Sequence, residues 1–187
     1  MSHILITGGT GMLSGAVNKL LTEYEAVSVI ARHESGFKKI LSKTRHPERL
    51  NPILLDYSDT DLLSEKIISS IQNYGHIETA VNWIHSHAES AHEVIGKILD
   101  SQYISSDYFH ILGSAYYNPE NLSSDIEEVF SSYENISYKK IILGFKTDEA
   151  KSRWLTDEEI SDGVYQAVRS AENVSNIGLT EPWERRP

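Results

Sequence analysis

Hydrophobic positions recur along this chain in two alternating rhythms. Short apolar runs at 4–7, 26–31, 53–56, 79–84, 108–113, 138–145 and, more weakly, 176–180 are too short for buried helices and read as strands covered on both faces. Between them, apolar residues return at helical spacing. The first such stretch puts Ala16, Val17, Leu20 and Leu21 on one face. Residues 58–74 open with Ser58 and Asp61 in capping-box spacing and align Leu63, Ile67 and Ile71. Residues 86–101 carry Ala91, Val94, Ile95, Ile98 and Leu99, and residues 119–133 carry Leu122, Ile126, Val129 and Phe130. A last helix over 156–170 starts with Thr156 and Glu159 as a second capping box, and its stripe is Ile160, Val164 and Val168.

Strand–helix alternation sustained this long predicts an α/β fold with a parallel sheet covered on both faces. Right-handed crossovers make it a doubly wound, mainly parallel Rossmann-type sheet of seven strands in the order 3-2-1-4-5-6-7, one domain over 1–187. Ligands bind beyond the carboxyl ends of such strands. The residues to weigh are therefore those directly after successive strands: the glycine turn at 8–11, Arg32, Asp56, His85, Ser114 and Lys146.

The glycine turn belongs to ILITGGTGMLSGAVNKLL, residues 4–21, a strand, a tight turn and a helix in succession. Amides at the start of a helix lack intrahelical partners, and the helix dipole adds positive charge there, so this order builds an anion site. Gly8 is free to take a backbone conformation that a side chain forbids, and Gly11 allows close approach of a pyrophosphate. The spacing of Gly8, Gly9, Gly11 and Gly15 is not a regular G-x-G-x-x-G, because Met12 and Ser14 interrupt it. No GK[ST] follows, which excludes a nucleoside-triphosphate P-loop. The turn predicts a dinucleotide.

The second strand ends at Arg32, where an acidic residue would bind the ribose hydroxyls of NAD. A guanidinium instead forks onto a phosphate, so the expectation is NADP(H) over NAD, with His33, Ser35 and Lys38 as helpers. Asp56 reads in two ways, as a partner for the adenine amino group or as an Asx turn before the next helix.

Composition narrows the field. The 187 residues contain no cysteine, which removes disulfides, thiolate nucleophiles and cysteine-bound metals. A formal charge of −10 argues against nonspecific nucleic-acid binding. No apolar run is long enough for a membrane span and the N-terminus lacks a secretory pattern, so the expected location is cytoplasmic. One stretch, 32–49, carries a local +4 from Arg32, Lys38, Lys39, Lys43, Arg45 and Arg49 against Glu34 and Glu48; apart from Arg32 it reads as a solvated basic helix face. In WIHSHAESAHE, His85 and Glu89 stand at i, i+4, but the histidines do not and no H-E-x-x-H occurs, so no metal is expected. His85, at a strand end, is a candidate contact to nicotinamide or substrate. His110 reads as a satisfied core residue, and Trp154 as core.

TGGTGML, the strand closing on Arg32, LLDYSD after the third strand, AVN in the fourth and Ser114 after the fifth together resemble the short-chain dehydrogenase/reductase superfamily, most of all its extended and atypical branches. By that resemblance Gly8, Thr10, Gly11 and Met12 hold the pyrophosphate, Arg32 the 2′-phosphate, and Asp56 with Tyr57 the adenine. Asn82, Trp83 and Ile84 lie beside the ribose groups, and Ser114 orients a substrate carbonyl. The resemblance also implies an oxidoreductase acting on a small-molecule substrate, and a homodimer through helices 86–101 and 119–133.

Departures from the family are specific. Ser14 stands where the atypical turn wants a third glycine. The family's Tyr-x-x-x-Lys is absent: Tyr116, Tyr117 and Tyr133 are followed four residues later by Glu120, Asn121 and Ser137. A phenol needs an activating cation to donate a proton near neutrality. Tyr116 or Tyr117 is thus expected to serve only if Lys146 or Arg153 folds back, because Lys139 and Lys140 are expected at the wrong end of the sixth strand. The family's substrate-binding insertion is missing, which implies a small or open substrate site. Two functions remain: an NADP(H)-dependent hydride transfer to or from a small carbonyl or alcohol, and a non-catalytic dinucleotide-binding sensor or interaction protein.

Overall fold

The computed structural model describes residues 2–117, 125–148, 151–170 and 172–187. Its main sheet pairs seven strands, all in parallel: β1 His3–Thr7, β2 Ala26–Ala31, β3 Leu50–Leu54, β4 Thr79–Asn82, β5 Ser106–Leu112, β6 Ile136–Leu143 and, after two short strands described below, β9 Val174–Ile177. The order is β3-β2-β1-β4-β5-β6-β9, the order that the alternation predicts.

Successive side chains of a strand point to opposite faces, and β1 divides its apolar residues accordingly. Ile4 and Ile6 join a core with α1 (Ser14–Leu20), α2 (Glu34–Leu41) and α6 (Asp157–Arg169); Leu5 joins one with α3 (Thr60–Tyr74), α4 (Ser90–Asp100) and α5 (Asp125–Ser131). Both faces are covered, so β1 and β2 are buried along their whole length. Trp83 N–H donates to Thr7 O at 3.2 Å, carrying the β1–β4 pairing one step past the strands.

Several boundaries differ from expectation. β3 starts three residues before the apolar run that announces it, since Asn51 and Pro52 interrupt the pattern. Pro52 is accommodated because β3 is an edge strand, where an absent N–H costs no ladder bond. Leu54, 55 % exposed, marks the uncovered side of that edge. α3 is capped by Asp59, whose Oδ1 accepts the Leu62 N–H at 3.1 Å, and not by Ser58. The box at α6 forms as expected: Thr156 Oγ1 accepts the Glu159 N–H at 3.2 Å, and Glu159 Oε2 accepts the Thr156 N–H at 2.9 Å.

Beyond β6 the chain makes an antiparallel hairpin of β7 (Phe145–Thr147) and β8 (Ser152–Trp154). Trp154 sits on it 45 % exposed, with the Arg186 guanidinium 5.1 Å from its ring, so the expectation of a core tryptophan is corrected. Leu122, the start of the helix expected over 119–133, and the Tyr117 side chain lie outside the described residues. Among the described residues no helix is long and apolar enough to cross a membrane.

Candidate functional site

The turn after β1 is shaped by three glycines with three different jobs. Gly8 has φ +79°, a conformation disfavoured for other residues, and its N–H donates to Ile30 O at 3.1 Å, tying the turn to β2. Gly9 fits where a Cβ would lie 2.8 Å from Val29 Cγ1, so it lets the turn sink onto the core. A Cβ at Gly11 would meet no atom within 4 Å, because Gly11 faces open space. Ser14 N–H, the first amide of α1, is used within the turn, donating to Gly11 O at 3.0 Å. α1 is only seven residues long, so its dipole is a smaller part of the site than the sequence suggests.

Beside Gly11 a cleft of about 240 Å³ opens at the carboxyl ends of β1, β2 and β4. Of the residues expected to hold a dinucleotide, Gly8, Thr10, Gly11 and Met12 line it from the turn, Arg32 from the end of β2, and Tyr57 and Trp83 from beyond β3 and β4. His33 and His85 line it as well. Its far wall is a run of rings. Trp83 and His85 meet edge-on at 5.8 Å, His85 stacks on His87 at 5.9 Å, and His87 stacks on Tyr57 at 6.4 Å. The Tyr57 hydroxyl accepts the His85 N–H at 3.4 Å, which fixes the wall to the loop after β3.

Arg32 is exposed at the mouth, and among the described residues its guanidinium makes no hydrogen bond or ion pair. Two other cations of the 32–49 stretch are committed elsewhere. Lys38 pairs with Glu34 at 3.3 Å, and Arg49 donates to the carbonyls of Leu21 and Thr22 at 3.2 and 3.3 Å. Asp56 does not line the cleft. Its Oδ1 accepts the Ser58 N–H at 3.0 Å and the Ser58 hydroxyl at 2.8 Å, an Asx turn. Those two bonds, with Arg32 nearby, hold its carboxyl below the usual carboxylate range. Ile84 packs into the α3–α4 core and does not line the cleft either. Asn82 is fully buried at the end of β4; its Oδ1 accepts the Thr7 hydroxyl at 2.9 Å, while its Nδ2 has no partner among the described residues.

The candidates for proton transfer stand apart from this cleft. Ser114 is buried after β5 and does not line it. Tyr116 belongs to the short 3-10 turn Ser114–Tyr117, and its hydroxyl donates to Glu127 Oε1 at 2.9 Å. Lys140 Nζ donates to the same hydroxyl at 2.8 Å and to both Glu127 oxygens at 3.1 and 3.2 Å. This corrects the expectation for Lys140: it is the fifth of the eight residues of β6 rather than at its start, and its amine reaches the phenol. Lys146 and Arg153, expected as alternatives, are held by Glu159 at 2.7 and 2.8 Å and do not fold back.

His110 is a satisfied core residue, as expected. Its Nδ1 lies 2.7 Å from the Tyr138 hydroxyl, and that of His92 lies 2.7 Å from the Tyr108 hydroxyl, with the two imidazoles 4.2 Å apart. Burial, then the His110 charge, pushes His92 down to about 3; burial, then Lys140, pushes His110 down to about 4. No group of three metal-binding side chains occurs among the described residues. Sequence reasoning missed Ser161 of α6, whose hydroxyl donates to Met12 O at 2.6 Å across 149 residues. No local pattern announces so distant a contact.

No family model matches the chain, and no curated protein does. Solved structures do match. A structure of ElxO with NADP bound superposes with a TM-score of 0.69 at 14% identity, covering 95% of this chain and 97% of that one. A short-chain dehydrogenase from Bacillus anthracis gives 0.69 at 14% identity, with 95% and 94% covered. A metagenomic short-chain oxidoreductase in complex with NADP gives 0.67 at 13% identity, with 95% and 96% covered. The chain has the fold of the short-chain dehydrogenases.

Proposed function

We propose that this protein binds NADP(H) in the cleft between the glycine turn and Arg32. One observation carries the reading: a guanidinium unpaired among the described residues stands at the mouth of a cleft whose floor is the glycine turn. The turn residues Gly8, Thr10, Gly11 and Met12 receive the diphosphate, Arg32 with His33 receives the 2′-phosphate, and Tyr57 and Trp83 flank the adenine. Two features suit a dinucleotide. Gly11 leaves open the space that a side chain would fill, and Asn82, next in sequence to the cleft residue Trp83, keeps a buried amide donor without a partner among the described residues. A cleft of about 240 Å³ suits the adenosine half. Solved proteins of the same fold carry NADP or NADPH, which supports the choice of cofactor.

Titration of NADPH fluorescence tests the reading. Charge-assisted hydrogen bonds are worth about 1.5–3 kcal/mol each. Arg32→Ala is therefore expected to weaken NADPH about ten- to hundredfold while leaving NADH nearly unchanged. Equal losses for both cofactors refute the role.

A second reading, hydride transfer to or from a small carbonyl or alcohol, is favoured by the Lys140–Tyr116 contact, since an ammonium beside a phenol is what proton donation near neutrality requires. When bound, the nicotinamide supplies the hydride, and Ser114 and Tyr116 are the residues left for the substrate oxygen. Against it, the Tyr116 proton is directed at Glu127. Binding without turnover is thus the reading we favour. A carbonyl panel followed at the nicotinamide absorbance band decides between the two.

A further inference from the structure

We infer that Ser161, on α6, is a positioning residue for the diphosphate-binding turn; the inference rests on the dinucleotide reading above. Ser161 is 2 % exposed, and its hydroxyl donates to Met12 O at 2.6 Å. Met12 lines the cleft, so this bond fixes the backbone of the cleft floor from behind. The peptide joining Met12 and Leu13 is trans, which sets the Leu13 N–H antiparallel to the Met12 carbonyl. Holding that carbonyl on α6 therefore turns the Leu13 amide away from α6 and fixes the peptide plane that follows Met12 in the cleft floor.

A second contact fixes the same place independently. A Cβ on Gly15 would lie 2.9 Å from both Cβ and Oγ of Ser161, so α1 and α6 touch there with room for a glycine alone. α6 in turn is not free to slide. Its first turn is locked by the Thr156–Glu159 box, and the Glu159 carboxylate also holds Lys146 and Arg153 of the hairpin. Lys19 of α1 pairs with Asp162 at 2.7 Å, one residue beyond Ser161. α6 thus acts as a brace, and Ser161 is the point at which the brace meets the cofactor turn.

The test compares two probes on wild type and Ser161→Ala: NADPH, which has a diphosphate, and adenosine 2′-monophosphate, which keeps the 2′-phosphate and adenine but lacks it. Loss of one positioned hydrogen bond is expected to weaken NADPH about three- to tenfold. Adenosine 2′-monophosphate, held by Arg32 and the ring wall, is expected to bind both proteins equally. Unchanged NADPH affinity in Ser161→Ala overturns the inference, and so do parallel losses for both probes, which denote general loosening. Wild type that takes up neither probe removes the dinucleotide reading itself, and with it this one.

Discussion

Gly9 and Gly11 stand two residues apart in one turn, and their alanine variants are expected to fail in opposite ways. A methyl on Gly9 would lie 2.8 Å from Val29 Cγ1, 3.0 Å from Val17 Cγ2 and 3.1 Å from Ile6 Cγ2. All three are β-branched, fully buried and held on β2, α1 and β1, so none yields cheaply. Overpacking of this kind costs about 1–3 kcal/mol. For a chain of this length each kcal/mol lowers Tm by about 2–4 °C, so Gly9→Ala should melt roughly 2–12 °C below wild type. A methyl on Gly11 meets nothing within 4 Å. Its φ is not in the left-handed region, so Gly11→Ala should melt at or slightly above wild type, through the reduced entropy of its unfolded chain. That methyl occupies the floor of the cleft, however, and is expected to weaken NADPH about tenfold or more. The assay is a thermal melt by circular dichroism beside an NADPH fluorescence titration on the same preparations. If Gly11→Ala binds NADPH like wild type, or melts as low as Gly9→Ala, the assignment of Gly11 to the ligand and Gly9 to the core is wrong.

Two further outcomes are expected. His92 and His110 are pushed down to about 3 and about 4 in the folded protein, whereas an unfolded imidazole titrates near pH 6.5. As pH falls below about 6.5 the unfolded state takes up protons that the folded state refuses, so stability is full above that value and declines toward pH 4. Urea melts from pH 7.5 to 5 should show this slope, and His110→Gln should flatten it; an equal slope in the variant refutes the cause. Thr156→Ala removes the cap of α6 and should cost about 1 kcal/mol, read as a Tm loss of about 2–4 °C.

Strand order was legible because the inner strands β1, β2 and β4 are covered on both faces and so stand out as apolar runs. β3 was half hidden for a physical reason: an edge strand tolerates Asn51 and Pro52, which break the run that an inner strand would keep. The cleft-lining residues on the turn and after β2 were readable because a place directly after a strand end puts them at one crevice. Asp56 was open between two readings, and the Asx turn with Ser58 is the one formed. The Tyr116–Lys140 contact was not readable, since it depends on where β6 begins and on how far a lysine stem reaches. Trp154 was misread because a two-stranded hairpin of three residues each leaves no periodicity to detect.

The brace from α6 has a consequence for how the protein comes into being. β1 and the glycine turn are made well before α6, yet the turn's rear support is Ser161 of that helix. During translation the turn therefore stays an unsupported loop until α6 has emerged and packed against it. Substitutions in α6 are felt at a turn 149 residues upstream.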